Sequence, residues 1–422
     1  MGEVKTIAIL GVGARGADAY GSLINKMTDK FKIVALCDHK QDRLDRFSKE
    51  FNVAKELCFT DENEFFREKR ADLCLIATLD SDHVRHCIKA FEKGYDVMLE
   101  KPITHKVEEC EAILKAQEKY GCKALVCHVL RYAPAFLKVA ELIDNGEIGK
   151  LVCIDALERV AYWHQAHSYV RGNWRNTKTA TPTILAKCCH DLDLLQFYAK
   201  SKCLSVSSVG DLTHFRKENQ PEGAADRCVH CKYSDSCVYS AKDYYIDRWD
   251  RVGCPDDIWP YNVVVDVPHT KEKLQKAMEE GAYGRCVYAC DNDAVDHQIV
   301  QMTFENGVKA SLTMTAFTAT PGRRIHFHGT HGEIILEETE ESIYLHKYGQ
   351  DRQIINIETL CEKGYGHGGG DYGLVCALFD FLSGKGDANT SLEKSIESHL
   401  MGICAEESRL QGGKLIYLSE KR

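Results

Sequence analysis

Gly11-Val12-Gly13-Ala14-Arg15-Gly16 lies where a short apolar run, KTIAILGV at 5–12, gives way to a helix-compatible stretch from Ala14 to about Met27. A GxGxxG set at a strand-to-helix junction leaves few folds open. Gly11 suits a tight turn, Gly13 lets the backbone approach a pyrophosphate, and Gly16 permits close helix packing, with Ala14 and Arg15 at the helix N-terminus that faces the anion. A second apolar run, FKIVALCD, ends at Asp38, close to the spacing at which a carboxylate meets ribose hydroxyls. The unit therefore reads as βαβ with a dinucleotide site. Asp38 repels a 2'-phosphate, which favours NAD over NADP, while Arg15 and His39 are near enough in sequence to soften that preference.

The alternation continues. ADLCLIAT, YDVMLEKP and KALVCHVLRY read as buried strands, and DSDHVRHCIKAFEKG as a helix stopped by Gly94, which predicts a doubly wound parallel sheet over residues 1–130. After the helical APAFLKVAELIDNG the texture changes. KLVCIDALERV, DHQIVQMTFENGVKASLTMTAF, RRIHFHGTHGEIILEE and ESIYLHKYG alternate with turn residues between them, predicting an α+β domain over 131–390 with an open, mainly antiparallel sheet. A polar, cysteine-bearing insertion occupies about 215–260. Helices are expected from Asp371 to Leu382 and from Ser391 to Gln411, the segment 391–422 packing back on the first domain.

The balance of 54 basic against 63 acidic residues, without a block of like charge, argues against nucleic acid or an anionic membrane as partner. No secretion signal or apolar stretch long enough to span a bilayer is read, and many of the 20 cysteines sit inside apolar runs as reduced thiols do. The expectation is a cytoplasmic enzyme.

Glu100-Lys101-Pro102 follows a predicted strand, at the end of the sheet where ligands bind. A lysine before a helix is ordinarily a surface residue; at this place it can orient a hydroxyl or polarise a carbonyl. With GVGARG, Cys37-Asp38, LEKPIT at 99–104, RYAPAFLKVAELIDNGEIGKL, TILAKCCHDLDLLQFY at 183–198 and GTHGEIIL at 329–336, the chain resembles the glucose-fructose oxidoreductase, inositol dehydrogenase and MocA (Gfo/Idh/MocA) family. The resemblance implies a sugar or polyol substrate, a homo-oligomer formed through the open sheet, and catalytic roles for Lys101 and for His190 at the start of a helix. Many family members carry an aspartate four residues before that histidine. Here Ala186 stands there, next to Lys187, which either enters the site as a second cation or faces solvent.

In AYWHQAHSYVRGNWRN, residues Tyr162, Trp163, His164, His167, Trp174 and Arg175 combine aromatic faces with polar donors, a pattern that suits a carbohydrate or a structural aromatic loop. The run Gly366-His367-Gly368-Gly369-Gly370-Asp371 is either a closing loop or a connector. Cys228, Cys231, Cys237 and Cys254 offer thiols with one C-x2-C spacing, compatible with structural zinc, packing cysteines or a local disulfide. Three functions compete: an NAD-dependent sugar or polyol oxidoreductase, an NAD-dependent glycosidase working by transient oxidation, elimination and re-reduction, and a non-catalytic dinucleotide sensor.

Overall fold

The computed structural model describes residues 3–252, 259–266, 268–360, 366–386 and 389–422. The first domain carries β1 (Lys5–Leu10), β2 (Phe31–Cys37), β3 (Cys58–Phe59), β4 (Leu73–Ile76), β5 (Asp96–Leu99) and β6 (Ala124–Val126), all parallel, in the order β3-β2-β1-β4-β5-β6. Every residue of β4 is buried, because helices cover both faces of the sheet. The strand order reverses beside β1, and there the carboxyl ends of β1 and β4 open a crevice.

The second domain is built on a nine-stranded sheet. Its strands are β7 (Leu151–Arg159), β8 (Cys203–Asp211), β9 (His297–Phe304), β10 (Lys309–Thr315), β11 (Gly322–Gly329), β12 (Gly332–Glu337), β13 (Ser342–Lys347), β14 (Gln353–Asn356) and β15 (Ile416–Tyr417). They run in the order β14-β13-β12-β11-β7-β10-β9-β8-β15, antiparallel throughout except for β7 beside β10. Alternation sets the faces: Ile325 and Phe327 of β11 are buried, while His326 and His328 between and beyond them are half-exposed. The expected fold class is the observed one. Strand β8 was not anticipated, since CLSVSSVGD is rich in serine. Its buried serines are satisfied instead: Gln298 donates to Ser208 Oγ at 3.0 Å, and the Ser208 N–H donates to Ser408 Oγ at 2.8 Å.

Three connections fix the second domain against the crevice. The helix Cys189–Ala199 is tied to the first domain's exit by Asp193, which accepts from Arg131 Nε and Nη2 at 2.6 and 2.7 Å in a fully buried pair. The helix Gly370–Leu382 lies on the first domain, where Phe379 meets Phe31 edge to face at 5.6 Å. The long helix Leu392–Leu410 follows a stretch that pairs with β6, the Val126 N–H donating to Thr390 O at 2.8 Å, and its Ser408 anchors β8.

The insertion is larger than its polar sequence announces. It fills the whole connection from β8 to β9, includes the helix Lys271–Glu280, and has its own core of Ala241, Tyr245, Trp249, Tyr261, Leu274 and Met278. It also reaches back to the first domain, where Asp266 pairs with Lys40 at 3.0 Å. Among the described residues no helix is long and apolar enough to cross a membrane.

Candidate active site

The glycine loop fits a dinucleotide by steric exclusion. Gly11 has φ +92°, and a Cβ there would lie 2.4 Å from Ala77 O; a Cβ on Gly16 would lie 2.0 Å from Gly11 O. Neither position tolerates a side chain. Asp38, buried at the end of β2, accepts the Val12 N–H at 2.8 Å and the Lys40 N–H at 2.9 Å, so its carboxylate holds the loop open as it faces the crevice. A cavity of about 450 Å³ lies against Gly11, Gly13, Asp38, His39, Arg43 and Thr78. A smaller one, about 140 Å³, lies over Val12, Gly13 and Ala14 and is roofed by Asn262 and Asp266 of the insertion. The residues present therefore suit the adenosine and diphosphate parts of NAD or NADP.

Arg15 requires a correction. It turns away from Asp38 to the other end of the crevice, where Nε donates to Glu100 Oε1 at 2.8 Å and Nη2 to Asp371 Oδ1 at 2.7 Å, and it lies over the Tyr20 ring. Two buried carboxylates outbid a distant ribose for its charge. Burial opposes that charge, yet Tyr20, Glu100 and Asp371 hold its pKa above the ordinary value. The cation beside Asp38 is Arg43, 3.8 Å from the carboxylate. The sequence reading missed it, although a residue one turn into the helix after β2 is placed to face the crevice.

Lys101 follows β5, and its Nζ donates to Ala186 O at 3.4 Å across the boundary between domains. The expected pair thus comes together around position 186: Lys101 on its carbonyl, and His190 one helical turn on. His190 is 6% exposed, and its Nδ1 has no hydrogen-bond partner among the described residues. Burial pushes its pKa well below the ordinary value, and Lys101, His128 and His367 add to the effect. The imidazole is neutral at physiological pH, with no carboxylate bonded to it. Two more histidines join it. His128 lies 5.8 Å away ring to ring with neither nitrogen bonded to the described protein, and His367 lies 6.1 Å away.

His367 brings the glycine run into the site. Its Nδ1 lies 3.0 Å from Asp371 Oδ2, so the run 366–371 links His190 through Asp371 to Arg15 and Glu100. Gly368 and Gly369 both have positive φ, which is why the segment is written in glycine. That composition was a signal for a tight loop, not for the histidine inside it.

Lys187 is turned inward rather than to solvent: Nζ pairs with Glu158 at 2.9 Å, and Glu158 is 1% exposed. Arg323 completes the group, reaching Glu158 at 3.1 Å and Asp191 at 2.8 Å. Burial pushes the Asp191 carboxyl up against the pull of Arg323.

The aromatic segment divides. Burial, then Lys187, His167 and more weakly Lys101, push the His164 pKa well down. Trp163 stacks on His164 at 5.7 Å and meets Trp259 at 5.6 Å, and Tyr162 meets Tyr239 at 6.0 Å. His167 is scaffold instead, 1% exposed, with Nδ1 2.5 Å from the Tyr245 hydroxyl and its ring stacked on Tyr283. Arg175 is spent on Asp291 at 2.8 Å, and Trp174 lines a different cavity of about 410 Å³ with Asn176, Thr181, Asp293 and Arg409. His167 is drawn off because the segment 165–171 coils as a helix against the insertion; Trp174 and Arg175 lie beyond its end.

The four cysteines expected as zinc ligands are only partly described. Cys254 lies outside the described residues, and the sulfurs of Cys228, Cys231 and Cys237 do not all come within 4.8 Å of one another. Among the described residues, only His326, His328 and Glu333, on the outer face of the second sheet, bring three donors that close. They are already paired, His326 with Glu333 and His328 with Asp155.

Comparison with known proteins accords with this geometry. The model described as oxidoreductase family, NAD-binding Rossmann fold, matches residues 5–128, and that described as oxidoreductase family, C-terminal alpha/beta domain, matches 140–415. YteT of Bacillus subtilis (strain 168), an oxidoreductase by name, is 23% identical over 397 residues, 89% of each chain. The scyllo-inositol 2-dehydrogenase (NAD(+)) of the same organism is 30% identical over 143 residues, 34% of this chain and 41% of that enzyme. An oxidoreductase from Agrobacterium radiobacter, solved with NAD+, L-tartaric acid and magnesium, superposes with a TM-score of 0.70 at 13% identity over the whole of both chains. The Bordetella pertussis WlbA dehydrogenase, solved with NADH and UDP-GlcNAcA, gives 0.69 at 15% identity over 98% of each.

Proposed function

The chain belongs to the Gfo/Idh/MocA oxidoreductase family, and from that premise we propose that it oxidises a secondary hydroxyl of a sugar or polyol with NAD as acceptor. The observation that carries the reading is the meeting of Lys101 and a neutral, carboxylate-free His190 at position 186, on the edge of the dinucleotide crevice. Bound NAD supplies a two-electron acceptor at the carbon to be oxidised.

Gly11, Gly13, Ala14 and Gly16 would hold the diphosphate by backbone contact, and Asp38 the ribose hydroxyls. Lys101 Nζ, held loosely by one carbonyl, is free to turn to a substrate hydroxyl and orient it. His190 takes that hydroxyl's proton at Nε2, since Nδ1 is sealed in the protein. A neutral imidazole is the form that can accept it. The nearby Lys101 charge disfavours the imidazolium that forms, so His190 passes the proton on to solvent and returns to its neutral form. Trp163 and His164, with Trp259 behind them, offer a flat aromatic wall for the apolar face of a sugar ring. Glu100 and Asp371, tied by Arg15, fix the backbone from which Lys101 projects; the Lys101 N–H donates to Glu100 Oε2 at 2.7 Å.

The preference for NAD rests on the buried Asp38 carboxylate. Arg43 narrows the margin. A panel of inositols, aldoses and uronic acids, assayed for net formation of reduced dinucleotide from NAD+ and from NADP+, tests the proposal. At least one member should turn over, faster with NAD+. An inert panel together with aglycone release from aryl glycosides at constant NAD would replace this reading with the glycosidase.

A further inference from the structure

Inside the insertion a cavity of about 350 Å³ is left unused by the oxidoreductase reading. Cys228, Cys231, Cys237 and Cys286 line it, and all four are free thiols. They come from two distant stretches of chain that the fold brings side by side: Arg227 and Arg285 form a β-bridge, and the Cys286 N–H donates to Asp226 O at 2.8 Å. The cavity wall is completed by Tyr239, Val287 and Tyr288; Cys228 and Cys286 are buried, and Cys231 and Cys237 half-buried.

A buried cation faces these sulfurs. Arg171, 2% exposed, brings Nη2 to 3.6 Å from Cys228 Sγ, and its other bonds go to backbone, Arg285 O and Tyr239 O, each at 2.7 Å. Among the described residues no carboxylate pairs with it. A guanidinium taken out of water without an anion is costly, and neutral thiols do not repay that cost. Metal-bound thiolates would.

The number and spacing of the sulfurs select the metal. C-x2-C-x5-C with a distant fourth cysteine is a metal-binding arrangement. A single zinc, with Zn–S near 2.3 Å, needs its sulfurs roughly 3.8 Å apart. No three of these four sulfurs lie within 4.8 Å of one another. A cubane of iron and sulfide keeps its four thiolates farther apart than one ion does, and its net negative charge with four thiolates suits a cation-faced pocket.

We propose that Cys228, Cys231, Cys237 and Cys286 hold a 4Fe–4S cluster that fastens the insertion. Arg171 ends the segment that begins beside Trp163 and His164, so the cluster would brace the aromatic wall of the active site from behind. No electron transfer is assigned to it.

Protein purified without oxygen, and then treated anaerobically with ferric iron, sulfide and excess thiol, which reduces part of the iron, tests the assignment by visible spectroscopy, iron and sulfide analysis, and electron paramagnetic resonance after reduction. The expected result is a brown protein with about four irons and four sulfides per chain. A Cys231→Ser/Cys237→Ser variant should lose both, and Cys153→Ser, in β7 of the sheet, should keep both. Colourless protein, stoichiometric zinc in place of iron, or a double variant that retains the full cluster signal would each overturn the proposal.

Discussion

The two walls of the crevice are finished to different standards. On the wall formed by Glu158, Lys187, Asp191 and Arg323, every charge is answered by an opposite charge within about 3 Å, although Glu158 Oε2 makes no hydrogen bond. On the wall formed by Lys101, His128 and His190, one amine has a single long bond to a carbonyl, and three ring nitrogens have no hydrogen-bond partner among the described residues, His128 Nε2 standing 3.8 Å from Asp193. Native interiors rarely leave polar groups so. The contrast separates a cluster of paired charges that holds shape from a group in which Lys101 Nζ, on its one long bond, is left to meet what enters, while the unpartnered nitrogens of His128 and His190 Nδ1 are closed off behind it.

The comparison breaks most visibly on the unsatisfied wall. Lys101→Ala or His190→Ala should each lower kcat/KM by about 10²–10⁴-fold, whereas Arg175→Ala, from the same aromatic segment but committed to Asp291, should leave it within a few-fold. Steady-state kinetics on the three variants reads the difference. Equal losses in all three would erase the distinction between chemistry and scaffold.

On the satisfied wall the loss should appear in stability. Arg323→Ala strands the carboxylates of Glu158 and Asp191 in the interior and should cost about 3–5 kcal/mol in urea unfolding. An unchanged midpoint would mean that water already reaches these carboxylates.

A smaller effect is expected at Asp38, which is both satisfied by the loop and turned to the cofactor. Asp38→Ala should weaken NAD+ by about ten- to a hundredfold and narrow its advantage over NADP+, read by fluorescence titration. The smallest effect concerns pH. His167, His128, His190 and His399 all have folded pKa values below the ordinary 6.5, His167 and His399 at about 3, chiefly through burial. The unfolded chain therefore takes up protons first as pH falls. Stability is complete above about 6.5 and is lost as pH drops toward the folded values, by up to about 1.4 kcal/mol per pH unit for each histidine. His167→Phe should flatten that slope by one histidine's share, and unfolding at pH 7, 6 and 5 measures it.

These walls were unequally legible in sequence. The glycines, Asp38, Lys101 and His190 each stand in a local pattern that carries its own geometry, a turn, a strand end or a helix start, so their meeting follows from the fold. Arg43, His128, His367 and Arg323 carry no such pattern, and only the packing of distant segments makes them neighbours. The segment 162–175 misled for a related reason. Aromatic and cationic residues suit a sugar or an interior equally, and the insertion, whose core was hidden in polar sequence, claimed His167 and Arg171 for itself. Serine-rich β8 stayed hidden because its polar groups are satisfied by residues far along the chain.

The central claim is that His190 acts on a substrate proton while the dinucleotide site stands independently of it. Measuring NAD+ affinity and turnover together in His190→Ala, with the substrate found from the panel, tests this most directly. The account predicts NAD+ binding within about twofold of wild type and kcat lower by at least about 10²; turnover at the wild-type rate, or a loss explained wholly by lost NAD+ binding, would contradict it.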